Sequence, residues 1–261
     1  MKSAASAKRQ YIALAILSPL TIILLWTFVS MRGAVPATIL PSPGKVVTSL
    51  FDIFERGYSG ISIWTHINAS LWRVGIAFAA GSVLGGTLGL LRGRVPAIDA
   101  LLLVPSELVR PIPPLGLIPL FILWFGIGEL SKVLLIFLSV FLIMMINAQA
   151  GARACALDTL RAAESMGAAR WQVFRYVVLP SALPQIMTGL RISMSSALTI
   201  LVASELLGGD RGLGFVILDA SSFFRTTYVF AGIVVIGIIG LVSDRCIAYF
   251  ARRIVHWEGK R

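Results

Sequence analysis

Six continuous apolar stretches, each about 20 residues long, run through this 261-residue sequence. A helix needs about 20 predominantly apolar residues to cross the hydrocarbon core of a bilayer, and short polar segments separate these stretches. A membrane barrel is excluded, because its strands would be alternating segments of about ten residues. The sequence therefore predicts an all-α, polytopic membrane protein with six transmembrane helices, over 11–31, 71–91, 101–125, 130–148, 186–207 and 229–250.

Composition agrees with a membrane-embedded chain, since 57% of the residues are apolar and only 13% are charged. Soluble domains carry about 25% charged residues, so a soluble fold is disfavoured. The first stretch follows Lys2, Lys8 and Arg9, as a secretory signal would. Its apolar part is longer than the usual ~7–15 residues of such a signal, and we interpret it as a retained helix.

The distribution of basic residues predicts the topology, because Lys and Arg of short loops stay on the cytoplasmic side. With the N-terminus inside, 13 of the 23 Lys and Arg fall in inner segments and 6 in outer segments. Both termini, 1–10 and 251–261, are therefore predicted to be cytoplasmic, with 32–70 extracytoplasmic. This topology explains the formal charge of +11. The sequence lacks the clusters of basic residues interleaved with aromatic residues that would suggest nucleic-acid binding. The partner that the apolar stretches require is the lipid bilayer.

The sequence shows no motif for chemistry of its own. It lacks the phosphate-binding G-x-x-x-x-G-K-[ST], the zinc motif H-E-x-x-H and the nucleophile motif G-x-S-x-G. His66 and His256 fall on opposite sides of the membrane in the predicted topology, so they cannot share a metal. We expect no catalytic residue, no metal site and no cofactor bound by this chain. Energy for any driven process has to come from a partner or from an ion gradient.

The longest predicted cytoplasmic excursion, 151–184, has the pattern of two short helices around a glycine. Residues 158–166 are good helix formers, Gly167 permits a left-handed turn, and an amphipathic pattern resumes over 168–178. Leu179-Pro180 is expected to end the element. The second helix is expected to present one apolar side, formed by Trp171, Phe174 and Val178.

This segment resembles the cytoplasmic coupling motif of permease subunits in ATP-binding-cassette importers, E-A-A-x-x-x-G-x(9)-I-x-L-P. Val177 stands where the motif has isoleucine, and Arg161 stands where it has the leading glutamate, so the first acidic contact is missing. Apart from the resemblance, a glycine-split helix pair also suits an ordinary interfacial loop. The resemblance implies an ATPase-coupling site at Ala162, Ala163, Gly167, Ala168, Val177, Leu179 and Pro180.

Further segments resemble one branch of that family, the permeases of taurine, alkanesulfonate and nitrate uptake. They are Leu40-Pro-Ser-Pro43, Arg110-Pro-Ile-Pro-Pro-Leu115, Trp124-Phe-Gly-Ile-Gly128, Ala203-Ser-Glu-Leu206 and Arg211-Gly-Leu-Gly-Phe215. The resemblance implies a type I importer permease fold in a bacterial cytoplasmic (inner) membrane, with the coupling loop inside a permease core of residues 71–250. It also implies a homodimer, cytoplasmic ATPase subunits that bind ATP and Mg²⁺, and an extracytoplasmic solute-binding protein.

Polar residues within the spans suggest a route for the solute, since ionisable side chains there are costly unless they face a cavity or a partner. Five prolines break the third span, and the exposed backbone of a broken span is tolerated only where protein or water surrounds it. The predicted translocation path comprises Glu107, Arg110, Arg191, Ser195 and Glu205. Of these, Glu107 can pair with Arg110 three residues later, and Arg110 is the best-placed cation for an anionic solute. A kink stabilised by that pair is the structural alternative, as is snorkelling for Arg191.

Three further patterns predict structural features rather than functional sites. Gly81, Gly85 and Gly89 form G-x-x-x-G steps that favour close helix packing. A short outer loop is predicted over 210–227, and an interfacial helix around 52–56.

Two other functions remain open from the sequence. A gradient-driven secondary transporter or channel needs its own ion-coupling site and usually shows inverted hydropathy repeats, which the two halves lack. An intramembrane enzyme needs a nucleophile with a base or a set of metal ligands, and the two distant histidines provide no such grouping.

Overall fold

The computed structural model describes residues 2–206 and 209–257, and its regular elements are helices. A 3₁₀ turn, Pro114–Leu117, precedes α5, and a π-helical turn, Phe174–Val178, joins α8 to α9. The all-α fold class is confirmed. The helices are α1 (Lys2–Met31), α2 (Pro43–Arg56), α3 (Ile63–Arg94), α4 (Pro96–Val109), α5 (Ile118–Phe125), α6 (Glu129–Arg153), α7 (Leu157–Ser165), α8 (Arg170–Val173), α9 (Leu179–Leu206), α10 (Leu213–Ser222) and α11 (Thr226–Ile254).

Within residues 2–206 and 209–257, five helical stretches are long and apolar enough to cross a membrane: Ala13–Met31, Ile63–Arg94, Glu129–Arg153, Arg170–Leu206 and Thr226–Ile254. The helix pair Pro96–Val109 and Pro114–Phe125 makes a sixth if it is one span, bent by 82° at its break. Pro111 and Pro113 lie at this break, where they remove backbone donors and stop α4 from continuing. The predicted stretches correspond to these six elements. Leu207, the end of the predicted fifth span, and residues 258–261 lie outside the described residues.

Two predicted boundaries differ from the structure. Helix α3 begins at Ile63 rather than near residue 71, because 63–70 contains no proline or glycine and buries Ile63 and Ile67. The predicted loop over 210–227 contains a helix, α10, whose buried residues Leu213, Val216 and Ala220 recur at i, i+3 and i+7. Gly209, Gly212 and Gly214, which lie before and at the start of α10, concealed this helical period in the sequence.

The chain divides into two compact units, Met1–Trp64 with Val216–Val234, and Thr65–Phe215 with Val235–Arg261. In the first unit, the Tyr58 hydroxyl donates a hydrogen bond to Asp219 at 2.7 Å. Burial, and secondly this carboxylate, raise the pKa of Tyr58, so the phenol stays protonated and remains a donor. The second unit has an apolar core between α3, α6 and α9, which includes Ala77, Leu135, Ile136, Val140, Ala197 and Leu201.

Glycine permits the close approach of α3 to α6 in the second unit. A Cβ on Gly81 would stand 2.9 Å from the Val140 side chain, and a Cβ on Gly89 would stand 2.8 Å from the Cβ of Ala148. Gly85, between them, would collide with the backbone of Phe141. The predicted G-x-x-x-G packing is confirmed, and it operates within the chain.

We expect Gly89→Ala to lower the free energy of unfolding by about 1–3 kcal/mol, because the added methyl group forces α3 and α6 apart. Gly75→Ala is the matched control on the same helix, where a Cβ would meet no atom of the described residues within 4 Å. The control should be neutral or stabilising by up to about 1 kcal/mol. Equilibrium unfolding in mixed micelles measures both changes, and equal destabilisation at the two positions would contradict the packing described.

Candidate functional site

One tight turn at Gly167 separates α7 from α8. Gly167 has a φ of +79°, in the left-handed region that its position predicts. Its N–H donates to the Glu164 carbonyl at 2.9 Å, and the Ala168 N–H donates to the Ala163 carbonyl at 3.2 Å. These two bonds define a Schellman motif, which satisfies carbonyls at the end of α7. A side chain at position 167 would strain this turn, so glycine is the residue that suits it.

After the turn, the chain runs without interruption from α8 into α9. The Gln172 side-chain oxygen caps α8 by accepting a hydrogen bond from the Ala169 N–H at 2.7 Å. The π turn then links the two helices, and such turns are frequent at functional sites. The expectation that Leu179-Pro180 ends the element is wrong. Pro180 lies in the first turn of α9, where the missing N–H of a proline is tolerated.

A small apolar core holds this element against the end of α6. It comprises Ala152, Cys155, Leu160, Ala163, Val173 and Val178. Val173 and Val178 are five residues apart and both point inward, since a π turn brings i and i+5 to the same side. Of the predicted apolar side, Val178 is buried in this core and Phe174 packs against it, whereas Trp171 stacks on Phe174 and is 65% exposed.

The predicted coupling residues all lie between α7 and the first turn of α9. Ala163 is buried, Ala168, Val177, Leu179 and Pro180 are partly buried, and Ala162 and Gly167 are exposed. Large apolar side chains are exposed around the turn, namely Leu157, Met166, Trp171 and Tyr176. An adjacent groove of about 460 Å³ is lined by Arg94, Val95, Pro96, Glu164, Ala168, Arg170, Val173, Phe174 and Val178. We name this exposed surface, with its turn, the coupling surface.

The five predicted path residues occupy different surroundings, and their role in a path stays a prediction. Glu107 and Arg110 are exposed and form an ion pair at 3.8 Å, which confirms the predicted pairing. Arg191 donates to Asp244 on α11 at 2.8 Å, so a carboxylate partners its charge. Ser195 is exposed on α9. Glu205, by contrast, has a side chain with no exposed surface.

Glu205 belongs to a buried ion-pair cluster that the sequence analysis missed. The Arg73 guanidinium donates to Glu129 through Nε and Nη2 at 2.5 and 2.6 Å, and to Glu205 through Nη1 at 2.5 Å. Its side chain is 3% exposed, whereas that of Glu129 is 62% exposed. Lys132 Nζ lies 3.8 Å from Glu129, so the cluster has two charges of each sign. We call these residues and Ser70 the Arg73 cluster; it joins α3, α6 and α9.

The loop 209–212 and the start of α10 close over the Arg73 cluster with backbone groups. The Gly214 N–H donates to Glu205 at 2.8 Å, and the Leu213 N–H donates to the Ser70 hydroxyl at 2.9 Å. The Ser70 hydroxyl itself donates to Glu205 at 2.8 Å. A Cβ on Gly212, which has a φ of +128°, would overlap the Glu205 carboxylate. The two glycines thus give a buried carboxylate the donors and the space that it requires.

A second polar cluster joins α3, α4 and α6. Asp99 accepts hydrogen bonds from Gln149 at 2.8 Å, from Arg153 at 2.6 Å and from Arg92 at 3.2 Å. Arg92, with a side chain 3% exposed, also donates to the Ser106 hydroxyl at 2.9 Å. This Asp99 cluster fixes the first half of the bent helix pair to the end of α6, from which the coupling surface continues.

Comparison with known proteins gives consistent matches. The family model described as binding-protein-dependent transport system inner membrane component matches residues 77–256. The taurine transport system permease protein of Escherichia coli is 40% identical over 236 residues, covering 90% of this chain and 86% of the relative. The nitrate import permease protein of Synechocystis is 31% identical, covering 85% of this chain and 82% of the relative.

A solved structure shares the fold. A chain of the MetNI methionine ABC transporter, in inward-facing conformations, matches with a TM-score of 0.63 over 74% of this chain and 97% of that chain. The sequence identity is 18%, so the likeness concerns the fold alone.

Proposed function

Because this chain belongs to the family of binding-protein-dependent transport system inner membrane components and is an ABC importer permease, we propose that it forms the translocation path of an ATP-driven importer for a small anionic solute. Cytoplasmic ATPase subunits bind ATP and Mg²⁺, and this chain binds neither. An extracytoplasmic solute-binding protein delivers the solute to a homodimer of this chain. Both termini of each copy face the cytoplasm.

The Schellman turn at Gly167 is the observation that carries the proposal. It stands in the segment that resembles the family's coupling motif, at the motif's glycine, and it presents Met166 and Trp171 with 81% and 65% of their surface exposed. Large apolar side chains on a rigid turn suit a protein partner, because such a surface is costly to leave in water. The partner at this position of the family's motif is the ATPase.

Two sets of contacts connect the coupling surface to the membrane helices. The apolar core around Ala152 and Val178 joins it to α6, and the Asp99 cluster joins α6 to α4. Closure of the ATPase subunits around ATP therefore moves α6 and the bent helix pair together. Packed helices shift between discrete arrangements rather than deform smoothly, so this motion alternates the access of the path between the two sides of the membrane.

A small anion is the proposed solute class. Taurine and nitrate, which the two relatives' names give, are small molecules with a sulfonate group or a negative charge. Arg110 is exposed, and its ion pair with Glu107 is long at 3.8 Å, so the guanidinium is available to a competing anion. Weak binding suits a path, because a tight site would slow release.

Co-purification tests the ATPase contact. The tagged chain is expected to retain its cognate ATP-binding subunit through detergent extraction, and Trp171→Asp should lower the recovered ATPase at least tenfold. Phe223→Asp is the matched control, since Phe223 is also exposed but lies outside the coupling surface. If the unaltered chain retains no ATPase, the proposed function is wrong. If Phe223→Asp lowers recovery equally, the coupling surface is not the contact.

A further inference from the structure

Helix α2 is divided lengthwise into three stripes, each spaced i, i+4, i+7. Val46, Leu50 and Ile53 form the first, and Val46 and Ile53 are buried at 3% and 0% exposure. The second, one residue further along, is apolar but exposed: Val47 at 49%, Phe51 at 67% and Phe54 at 40%. The third is polar, formed by Thr48, Asp52 and Glu55. Since successive residues are 100° apart, α2 has a protein-facing, an exposed apolar and a polar side.

Both ends of α2 are tied to membrane-spanning helices. Before its start, the Pro41 carbonyl accepts a hydrogen bond from the indole of Trp26 at 2.9 Å, and Trp26 lies in the apolar stretch of α1. Near its end, Phe54 meets Trp64 edge to face with ring centroids 5.5 Å apart, and Trp64 lies in the first turn of α3. A helix of 14 residues is about 21 Å long. Because it is tied to the α1 span before its start and to Trp64 near its end, α2 cannot stand away from the bilayer.

Contacts on the other sides fix the rotation of α2. Asp52, on the polar stripe, accepts a hydrogen bond from Tyr228 and pairs with Arg56 at 3.2 Å. The turn that follows is tight: Tyr58 and Ile61 exchange backbone hydrogen bonds at 2.8 and 3.0 Å, and Gly57 has a φ of +76°. The helix cannot roll its exposed apolar stripe inward without breaking these contacts.

We propose that α2 lies in the plane of the membrane surface with Val47, Phe51 and Phe54 immersed at the boundary of headgroups and acyl chains. We assign lipid as the contact of the exposed apolar stripe, because the stripe continues into Trp64 in the first turn of α3. Tryptophan is enriched at this level, where a spanning helix meets the bilayer interface. Lys45 and Arg56 are exposed on α2, and long basic side chains of this kind extend to lipid phosphate groups. Such a three-sided helix is typical of membrane-surface anchors that also pack on protein. Here it holds the end of α1 at a fixed depth.

Site-directed labelling tests this placement in the full chain. Cys155→Ala and Cys246→Ser remove the two native thiols, and Phe51→Cys or Glu55→Cys adds one, which is labelled with nitrobenzoxadiazole. The chain is reconstituted in phosphatidylcholine and phosphatidylglycerol vesicles. Doxyl-phosphatidylcholine is expected to quench the probe at 51 at least threefold more strongly than the probe at 55, and aqueous iodide should show the reverse order.

Equal iodide quenching at both positions, with no doxyl quenching at 51, would overturn the proposal. Shielding of the probe at 51 only after a solute-binding protein is added would also overturn it, and would assign the stripe to that protein. A second pair of variants tests the proposal without a label at position 51, in case labelling there disturbs folding. With a probe at Val47→Cys, the added charge of Phe51→Asp should at least double iodide quenching, whereas Glu55→Gln should leave it unchanged. No difference between these two backgrounds would contradict the proposal.

Discussion

We expect Arg73→Met to lower the free energy of unfolding by about 3–5 kcal/mol, the largest stability loss among the substitutions considered. Glu205 has no exposed surface, and Arg73 is the cation that contacts it at 2.5 Å. Removing the guanidinium leaves a buried carboxylate whose remaining donors are the Ser70 hydroxyl and the Gly214 N–H. An uncompensated buried charge costs far more than the net value of the pair that neutralised it. Equilibrium unfolding in mixed micelles measures the loss.

Two variants make this prediction specific. Arg211→Met also removes an arginine, but its side chain is 57% exposed and lies 3.7 Å from an exposed carboxylate, so its effect should stay within about 0.5 kcal/mol. The double variant Arg73→Met with Glu205→Gln removes both charges and should be more stable than Arg73→Met alone. A double variant that is as unstable as the single one would show that the charge of Glu205 is not the cause.

The second large effect is expected on transport. Gly167→Val should reduce ATP-driven uptake about tenfold, because a left-handed φ costs roughly 1–2 kcal/mol for an L residue, and 1.4 kcal/mol is a factor of ten in population. In the part of the chain that the structure describes, a Cβ at this position would meet no atom within 4 Å, so we expect strain in the turn to cause the loss. Uptake of radiolabelled taurine, a member of the proposed solute class, measures the effect in vesicles that contain the chain with the proposed ATPase and solute-binding protein.

Gly167→Asn is the matched control for this prediction. Asparagine adds a side chain of similar volume to valine but tolerates the left-handed region, so uptake should stay within about twofold of the unaltered chain. Equal loss in both variants, at equal amounts of chain in the membrane, would mean that the turn conformation is not what couples ATP hydrolysis to transport.

The long apolar runs in the sequence, and the prolines and glycines that interrupt helical patterns, predicted most of the fold. Continuous apolar runs mark spanning helices because a bilayer demands about 20 apolar residues, and the prolines between 105 and 119 mark the break in the third. The turn at Gly167 was also predictable, since a glycine between two helical patterns has few other uses. Finer features of the fold could not be predicted from the sequence. The π turn before Leu179 has no signal in residue type, and it changes which side of the helix faces inward.

The Arg73 cluster shows why the site was harder to predict than the fold. Arg73 and Glu205 are 132 residues apart, and nothing in a single sequence specifies which two helices meet. A signal was nevertheless present: one arginine and one glutamate lie inside predicted apolar helices, where unpaired charges are costly. Such residues are often candidates for a solute path, but here they neutralise each other, and two glycines of the following loop close over them. Asp99 was missed because the sequence analysis placed it in a short link between two spans, whereas it lies in the first turn of α4.

The central claim is that ATP hydrolysis drives transport through this chain. Measuring uptake while the proton and sodium gradients are collapsed tests it most directly. Sealed vesicles that contain this chain, its cognate ATPase and internal ATP with Mg²⁺ receive the solute-binding protein with radiolabelled taurine or nitrate outside. Our account predicts uptake that requires internal ATP and persists when ionophores abolish the proton and sodium gradients. Uptake that is lost with the ionophores and continues without ATP would contradict it, and would identify the chain as a gradient-driven carrier.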